Sequence, residues 1–363
     1  MKVLYLTNIP SPYRVAYFNE LGKKCDLTVI FEKDSSTERD ESWKKYVFEE
    51  FRGIILTGIS VRTDAAFCPN IISYLRRNQY DHIIITNIAS PTGILAVAWL
   101  KLWKIPYSIE GDGAFAGNGK GVKEKIKKWI ISSAIKCFST SKEHDKYYLT
   151  YGADEKRLYR YPFTSVFAKD ILQKPIEDAE KQNVKRTLNV KEEKMILAVG
   201  SYIPRKGFDL LIKAMTSLPS NWGVYLVGGE PTEEYKKLKD DLKLKNLHFV
   251  GFKKSEELKQ YFTAADLFVL PTREDIWGLV INEAMAYGLP VVTTDRCIAG
   301  LELIREDYNG TIVKHNDVNA LQDGIKKLVE DAEYRKICAS NTLKTIREYT
   351  IEKMVDAHIK VWN

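Results

Sequence analysis

Short, nearly unbroken apolar runs recur along this chain, each followed by a stretch whose apolar residues return every three or four positions. In the first half the runs are Val3–Thr7, Leu27–Phe31, Ile54–Leu56, Ile83–Thr86, Tyr107–Ile109 and Cys137–Ser139. None alternates apolar with polar residues, so these read as strands covered on both faces, as in a parallel sheet. Helical spacing predicts helices over Arg14–Leu21, Ile71–Arg77, Gly93–Trp103 and Val122–Lys136. The second half repeats the scheme with Ile196–Val199, Val224–Val227, Leu247–Val250, Leu267–Leu270, Val291–Thr293 and Thr311–Val313. Its predicted helices are Phe208–Met215, Glu233–Leu242, Glu256–Thr263, Leu279–Tyr287, Val318–Glu330 and Glu333–Glu348. Alternation of this kind builds parallel sheets joined by right-handed crossovers.

The polar, charged stretch around 166–193 interrupts the alternation and reads as an interdomain connection. With 363 residues the chain exceeds what one core usually serves. The expected organisation is therefore a Rossmann-like unit over 1–165 and a second over 194–345. A last helix near Ile351–Trp362, within 346–363, crosses back to the first. Two doubly wound α/β units facing each other across a cleft is the expected fold, with ligands gathering at the carboxyl ends of the strands.

Composition narrows the function. A chain that is 45% hydrophobic, 28% charged and 11% aromatic is globular and not disordered. Its charge, 55 − 48 = +7, is too small and dispersed for a dedicated nucleic-acid binder, but leaves room for anionic small molecules or lipid. The longest apolar run, Ile94 to Trp103, is broken by Lys101 and is too short to span a bilayer. The five cysteines (Cys25, Cys68, Cys137, Cys297, Cys338) have neither metal-ligand nor redox spacing and read as packing residues in a reducing compartment. Met1–Thr7 has too short an apolar run for a signal peptide and reads as a first strand, so a cytoplasmic protein is expected.

Two segments carry chemistry. Pro271 to Pro290 follows a predicted strand, turns at Gly278 and continues as a helix to Gly288. Free N–H groups around Gly278 to Val280 would seat a phosphate, with Trp277, Gly278 and Leu279 as candidate contacts to the bound molecule. Glu283, on the first turns of that helix, is placed to accept from sugar hydroxyls. The other segment, Gly200-Ser201-Tyr202-Ile203-Pro204-Arg205-Lys206-Gly207, follows Ile196–Val199 and offers two adjacent cations to a diphosphate; a solvated basic turn is the plainer alternative.

Together these segments resemble the donor-binding domain of glycosyltransferase family 4, retaining enzymes of the GT-B fold (glycosyl transferases group 1). The signature of an acid, seven residues and a Glu is matched by Asp275 and Glu283 inside WGLVINEAMAYGLPVV. AVGSYIPRKGFDLLIKAM, LVGG at 226–229, HFVGF at 248–252, AADLFVLPT at 264–272 and NG at 309–310 also match. The likeness is strong over 194–345 and weak before it. It departs at Asp275, where a Glu is usual, and at Ser201, where an Arg is common. The resemblance implies that Arg205 and Lys206 stabilise the departing nucleoside diphosphate and that Glu283 grips the ribose. Asp275 would contact the donor sugar, and Gly251 and Phe252 would approach the nucleobase. It further implies a metal-independent, cofactor-free retaining transfer from a nucleotide sugar to a glycan or polyprenyl-linked acceptor, in capsule, lipopolysaccharide or other surface polysaccharide assembly. The rivals are a nucleotide-sugar epimerase of the same fold and a catalytically silent binding scaffold.

In the first half, Tyr13 and Arg14 open the first helix and read either as acceptor contacts or as part of a capping turn. The family places a catalytic His or Asp about six residues after the proline matching Pro106. Asp112 fits, with Glu110 as a neighbouring candidate that is also expected to contact the acceptor. Residues 120–136 hold six lysines and one Glu, with Val122, Ile126, Trp129, Ile130 and Ala134 at helical spacing. That is either a membrane-surface helix at an anionic lipid face or a core-facing helix with a basic back.

Overall fold

The computed structural model describes residues 1–35, 46–117, 119 and 121–363. The chain divides into two compact units, one of Met1–Ser165 with Thr350–Asn363 and one of Val166–Tyr349.

The first unit is a seven-stranded parallel sheet ordered β3-β2-β1-β6-β7-β8-β9. Its strands are β1 (Lys2–Thr7), β2 (Asp26–Phe31), β3 (Arg52–Ile55), β6 (His82–Ile85), β7 (Ser108–Glu110), β8 (Lys136–Ser139) and β9 (Leu158–Arg160). Every residue from Val3 to Thr7 is buried, which is why no alternation marks the sequence. The order reverses direction between β1 and β6, so the loops after these strands diverge at a switch point. Helices α1 (Pro12–Gly22), α2 (Pro91–Leu102), α3 (Val122–Ile131) and α4 (Lys142–Thr150) cover the sheet, and α13 (Ile351–Trp362) packs against α1. Ser90 starts α2 by accepting from Gly93 N at 2.8 Å, with Pro91 in the first turn.

A small antiparallel ribbon, β4 (Ile59–Arg62) with β5 (Ala65–Phe67), follows β3. The helix predicted over Ile71–Arg77 is a 3-10 turn over Pro69–Tyr74, and the chain leaves helical geometry before Arg76. The helix predicted over Val122–Lys136 stops at Ile131, and Lys136 opens β8.

The second unit is a six-stranded parallel sheet ordered β12-β11-β10-β13-β14-β15. Its strands are β10 (Lys194–Val199), β11 (Trp222–Val227), β12 (Leu247–Val250), β13 (Leu267–Leu270), β14 (Val291–Thr294) and β15 (Gly310–Val313). Between and after them run α6 (Phe208–Ala214), α7 (Glu233–Asp241), α8 (Ser255–Ala264), α9 (Leu279–Ala286), α10 (Ile298–Leu303), α11 (Val318–Glu330) and α12 (Ala332–Ile346). The stretch read as a connection over 166–193 is built into this unit. It carries α5 (Asp178–Thr187), which packs on α8, and buried Lys185 donates to Asp266 Oδ2 at 2.6 Å. Its polarity misled the pattern reading because lysines, not aliphatic residues, fasten the helix to the sheet. The switch point here lies between β10 and β13.

Candidate active site

In the second unit the two strands flanking the switch point deliver the two segments singled out by sequence. After β10 the chain passes Gly200 and Ser201 and makes a 3-10 turn over Pro204–Lys206 before α6. Gly207 ends that turn at φ 69°, and a Cβ there would stand 2.1 Å from Pro271 O, so only glycine lets the two loops touch. The contact is stitched by backbone. Arg273 N donates to Arg205 O at 2.8 Å and Thr272 Oγ1 to the same oxygen at 2.9 Å. Arg273 adds a bidentate pair with Asp209 at 2.8 and 2.7 Å and a bond to Pro204 O at 2.5 Å.

This clamp fixes the cations. Lys206 Nζ lies 2.6 Å from Asp275 Oδ2, and Arg205 Nη1 lies 3.5 Å from Asp275 Oδ1 while donating to Glu274 O at 2.9 Å. The Lys206 stem runs past Gly200, its Cε 3.5 Å from where a Cβ would sit. Asp275 is itself buried and held by backbone, its N–H on Arg296 O at 2.8 Å and its C=O accepting from Ile298 N at 3.2 Å. The neighbouring Glu274 turns away to pair with Arg296, so Asp275 is the acid beside the cations.

Three residues on, Gly278 takes φ 100° and caps α9, its Cα facing Cys297 Sγ so closely that a Cβ would stand 3.0 Å from the sulfur. The N–H groups of Leu279 and Val280 open the helix without intrahelical acceptors, and the helix dipole adds to their pull on an anion. Glu283 lies one turn further along the same face, half-buried. Trp277, expected near the donor, is buried and gives its Nε1 to Asn282 Oδ1 at 2.8 Å, so its ring supports the start of α9. Burial pushes the Cys297 thiol up to about 12, which leaves it a neutral packing group. Gly251 and exposed Phe252 follow β12, the edge strand, with β11 between it and β10.

In the first unit the residues around β7 form a network of charges. Arg14 Nη1 donates to Glu110 Oε1 at 2.7 Å and Nη2 to Asp112 Oδ1, while Tyr13 OH donates to Asp112 Oδ2 at 2.9 Å. Tyr5 OH adds a bond to Glu110 Oε2 at 2.9 Å. Arg14 and Glu110 are both buried with these partners. A guanidinium and a carboxylate in the interior satisfy each other and hold their neighbours. Asp112, its side chain 24% exposed, and half-buried Tyr13 are the members that reach solvent. Burial raises the Asp112 carboxyl above the usual range against the opposing pull of Arg14 and Tyr13. Burial likewise opposes ionisation of Glu110, but the His358 bond and the Arg14 charge outweigh it and bring the group down to about 2.

His144, read as scattered, packs beneath Gly111, where a Cβ would come within 2.8 Å of its Cε1. Burial lowers it to about 3, so the ring is neutral and accepts at Nδ1 from Thr140 N at 3.3 Å. His358 also belongs to this network through Glu110, across 248 residues of sequence. Nothing in local spacing marks it; only its place on the buried stripe of α13 could have. Arg273 and Thr272, equally unmarked, were masked by their more conspicuous neighbours in the 271–290 segment.

The basic helix resolves into separate roles. Lys120 lies outside the described residues. Lys136 caps α13 through Val361 O at 2.6 Å, and Lys127 pairs with Glu124 at 3.0 Å. Lys123, Lys125 and Lys128 are exposed, as are Val122 and Trp129, whereas Ile130 and Ile131 are buried. Lys101 of α2 lies 4.3 Å over the Trp129 ring. Among the described residues no helix is long and apolar enough to cross a membrane, and no three His, Cys, Asp or Glu side chains are grouped as metal ligands.

Two Rossmann-like units, each a parallel sheet with a switch point, define the GT-B fold. Residues 179–345 match the family of glycosyl transferases group 1. An uncharacterized glycosyltransferase of Methanocaldococcus jannaschii is 30% identical over 46% of this chain and 47% of its own, so the chain spans about half of that relative. The N,N'-diacetylbacillosaminyl-diphospho-undecaprenol alpha-1,3-N-acetylgalactosaminyltransferase of Campylobacter jejuni is 23% identical over 94% of this chain and 92% of its own. HepE of Anabaena, solved in complex with UDP, superposes with a TM-score of 0.82 at 16% identity over 99% of both chains.

Proposed function

We propose that the protein is a retaining glycosyltransferase. It takes a hexose from a nucleotide-diphosphate sugar bound to the second unit and gives it to a glycan or polyprenyl-linked acceptor, in cell-surface polysaccharide synthesis. One observation carries the reading. The strands on either side of the switch point bring Lys206, Arg205 and the open start of α9 to the same carboxyl edge, with Lys206 2.6 Å from Asp275. Cations and free amides so placed fit a diphosphate. The UDP of the Anabaena structure and the lipid-linked acceptor named for the Campylobacter relative support the same substrate classes.

In this reading the bond from the sugar C1 to the β-phosphate oxygen breaks, and the acceptor hydroxyl oxygen bonds to C1 on the same face. The acceptor proton passes to the departing phosphate. Arg205 and Lys206 hold the charge that grows there, Glu283 holds the ribose, Asp275 the donor sugar, and Asp112 lies on the acceptor side. Because side chains supply the counter-charge, the reaction is proposed to need no metal or other cofactor. The protein is further proposed to work in the cytoplasm, resting its Trp129 and Lys123–Lys128 surface on anionic lipid.

The test is a panel of nucleotide sugars and free uridine and guanosine diphosphates, read by thermal stabilisation and then by donor consumption with and without acceptor. One diphosphate should raise the melting temperature by several degrees, and consumption should require acceptor and survive EDTA. Consumption without acceptor would indicate an epimerase, binding without consumption a scaffold, and loss in EDTA restored by Mn²⁺ a metal-dependent enzyme.

A further inference from the structure

The C-terminal helix α13 places one titratable ring inside the charge network of the first unit. His358 Nδ1 lies 2.8 Å from Met354 O, and Nε2 lies 3.2 Å from Glu110 Oε2. A carbonyl oxygen can only accept, so Nδ1 carries a proton. Glu110 is a carboxylate, held so by Arg14 at 2.7 Å and by Tyr5 at 2.9 Å, and it too can only accept. Both ring nitrogens therefore donate, and the geometry is that of an imidazolium. The result is a row of alternating charge, His358, Glu110, Arg14 and Asp112, that sums to zero with all four members.

The same ring stabilises the turn a second way. It stacks on Phe138 at 4.6 Å and lies 4.7 Å from the Tyr161 ring, whose hydroxyl donates to Gly111 O at 2.9 Å. Residues 110, 111 and 112 are thus each held by a side chain that His358 touches directly or through one neighbour.

We propose that His358 is a positioning residue for Asp112: it neutralises Glu110, which frees Arg14 to orient and ionise the Asp112 carboxyl. This rests on the reading of Asp112 as an acceptor-side group of sugar transfer. Without the imidazolium, Arg14 would serve two carboxylates alone, and Glu110 would act on Asp112 as an uncompensated like charge. The charged and titratable groups facing Asp112 are Arg14 and Tyr13 from α1, Glu110 from β7, Tyr148 from α4 and Tyr161 after β9; beside His358 stand Glu110, Tyr17 and Tyr161.

The experiment uses the full chain with His358→Gln, which keeps a neutral donor, and His358→Phe, which keeps a ring. Two quantities are read against pH: kcat and KM for the nucleotide sugar, and the ¹³C titration of the Asp112 carboxyl without substrate, assigned with Asp112→Asn. Both variants should move the Asp112 titration and the acid limb of kcat upward by about one pH unit, lowering kcat about tenfold at pH values below the wild-type acid limb with KM within about twofold. In the wild type, ¹⁵N shifts should show both His358 nitrogens protonated at pH 7. An unmoved Asp112 titration in a folded variant overturns the proposal, as does a neutral His358 ring in the wild type, a measurement that decides even if the variants do not fold. A wild type that turns over no nucleotide sugar defeats the transfer reading instead, and the Asp112 titration still tests the positioning role.

Discussion

Lys206 holds its ammonium on Asp275 at 2.6 Å, a contact that places the cation at the edge of β10 before any ligand arrives. A preplaced charge is worth most where negative charge develops during bond breaking. Lys206→Ala is therefore expected to lower kcat by two or more orders of magnitude with circular dichroism unchanged. Turnover near that of the wild type would take Lys206 out of the chemistry. Of the residues singled out by sequence, Arg205, Lys206, Asp275 and the Gly278 turn come together because they sit just after neighbouring strands. Arg14 and Glu110 were legible as important but not as interior. A charged residue type next to a glycine turn reads the same whether it faces solvent or another buried charge.

At the scale of elements, the end of β2 shows what pattern reading misses. Glu32 is buried there, accepting from Ser90 Oγ at 2.6 Å, Ala66 N at 3.2 Å and Asn87 Nδ2 at 3.3 Å, and so ties the β4–β5 ribbon to the start of α2. Burial raises its carboxyl to about 7, against the pull of those three donors. The folded state thus holds the proton more tightly than the unfolded chain, whose carboxyl titrates near 4.5. The contribution to stability is full below that value and is lost as pH rises toward 7, by up to about 3 kcal/mol. Urea midpoints between pH 4.5 and 8 should fall more steeply for the wild type than for Glu32→Gln; parallel curves would reject the assignment. The ribbon was invisible in sequence because β4 is exposed along its length, with Ile59 72% exposed, and buries no face that would impose a period. Strands such as β1 and β13 were legible to within a residue or two because burial on both faces demands continuous apolar sequence. Helix α4 begins at a Ser141 cap that accepts from His144 N at 3.1 Å, a signal present in the sequence but hidden by the polar residues after it.

For the whole molecule, the telling feature is that residues 350–363 belong with 1–165. Met354, Val355 and Trp362 are buried, and the Trp362 ring packs 6.4 Å from Tyr5 and 5.4 Å from His82. At about 1.5–3 kcal/mol for each large apolar side chain, removing α13 costs a sizeable part of a domain's total stability. Deletion of 350–363 should lower the melting temperature of the first unit and open it to limited proteolysis, leaving the 166–349 fragments resistant; equal protection of 1–165 with and without the helix would contradict this. Sequence by itself determined the strand–helix alternation, the reversal-prone α/β architecture and the cationic and amide-rich loops of the second unit, because burial on both sides of a parallel sheet and the needs of a phosphate seat write themselves into neighbouring residues. Only tertiary structure decided that Glu110 lies inside, that lysines rather than aliphatic residues anchor α5, and that His358 meets Glu110. Those outcomes depend on which charges the fold brings within hydrogen-bond reach across the chain, and no local period records that.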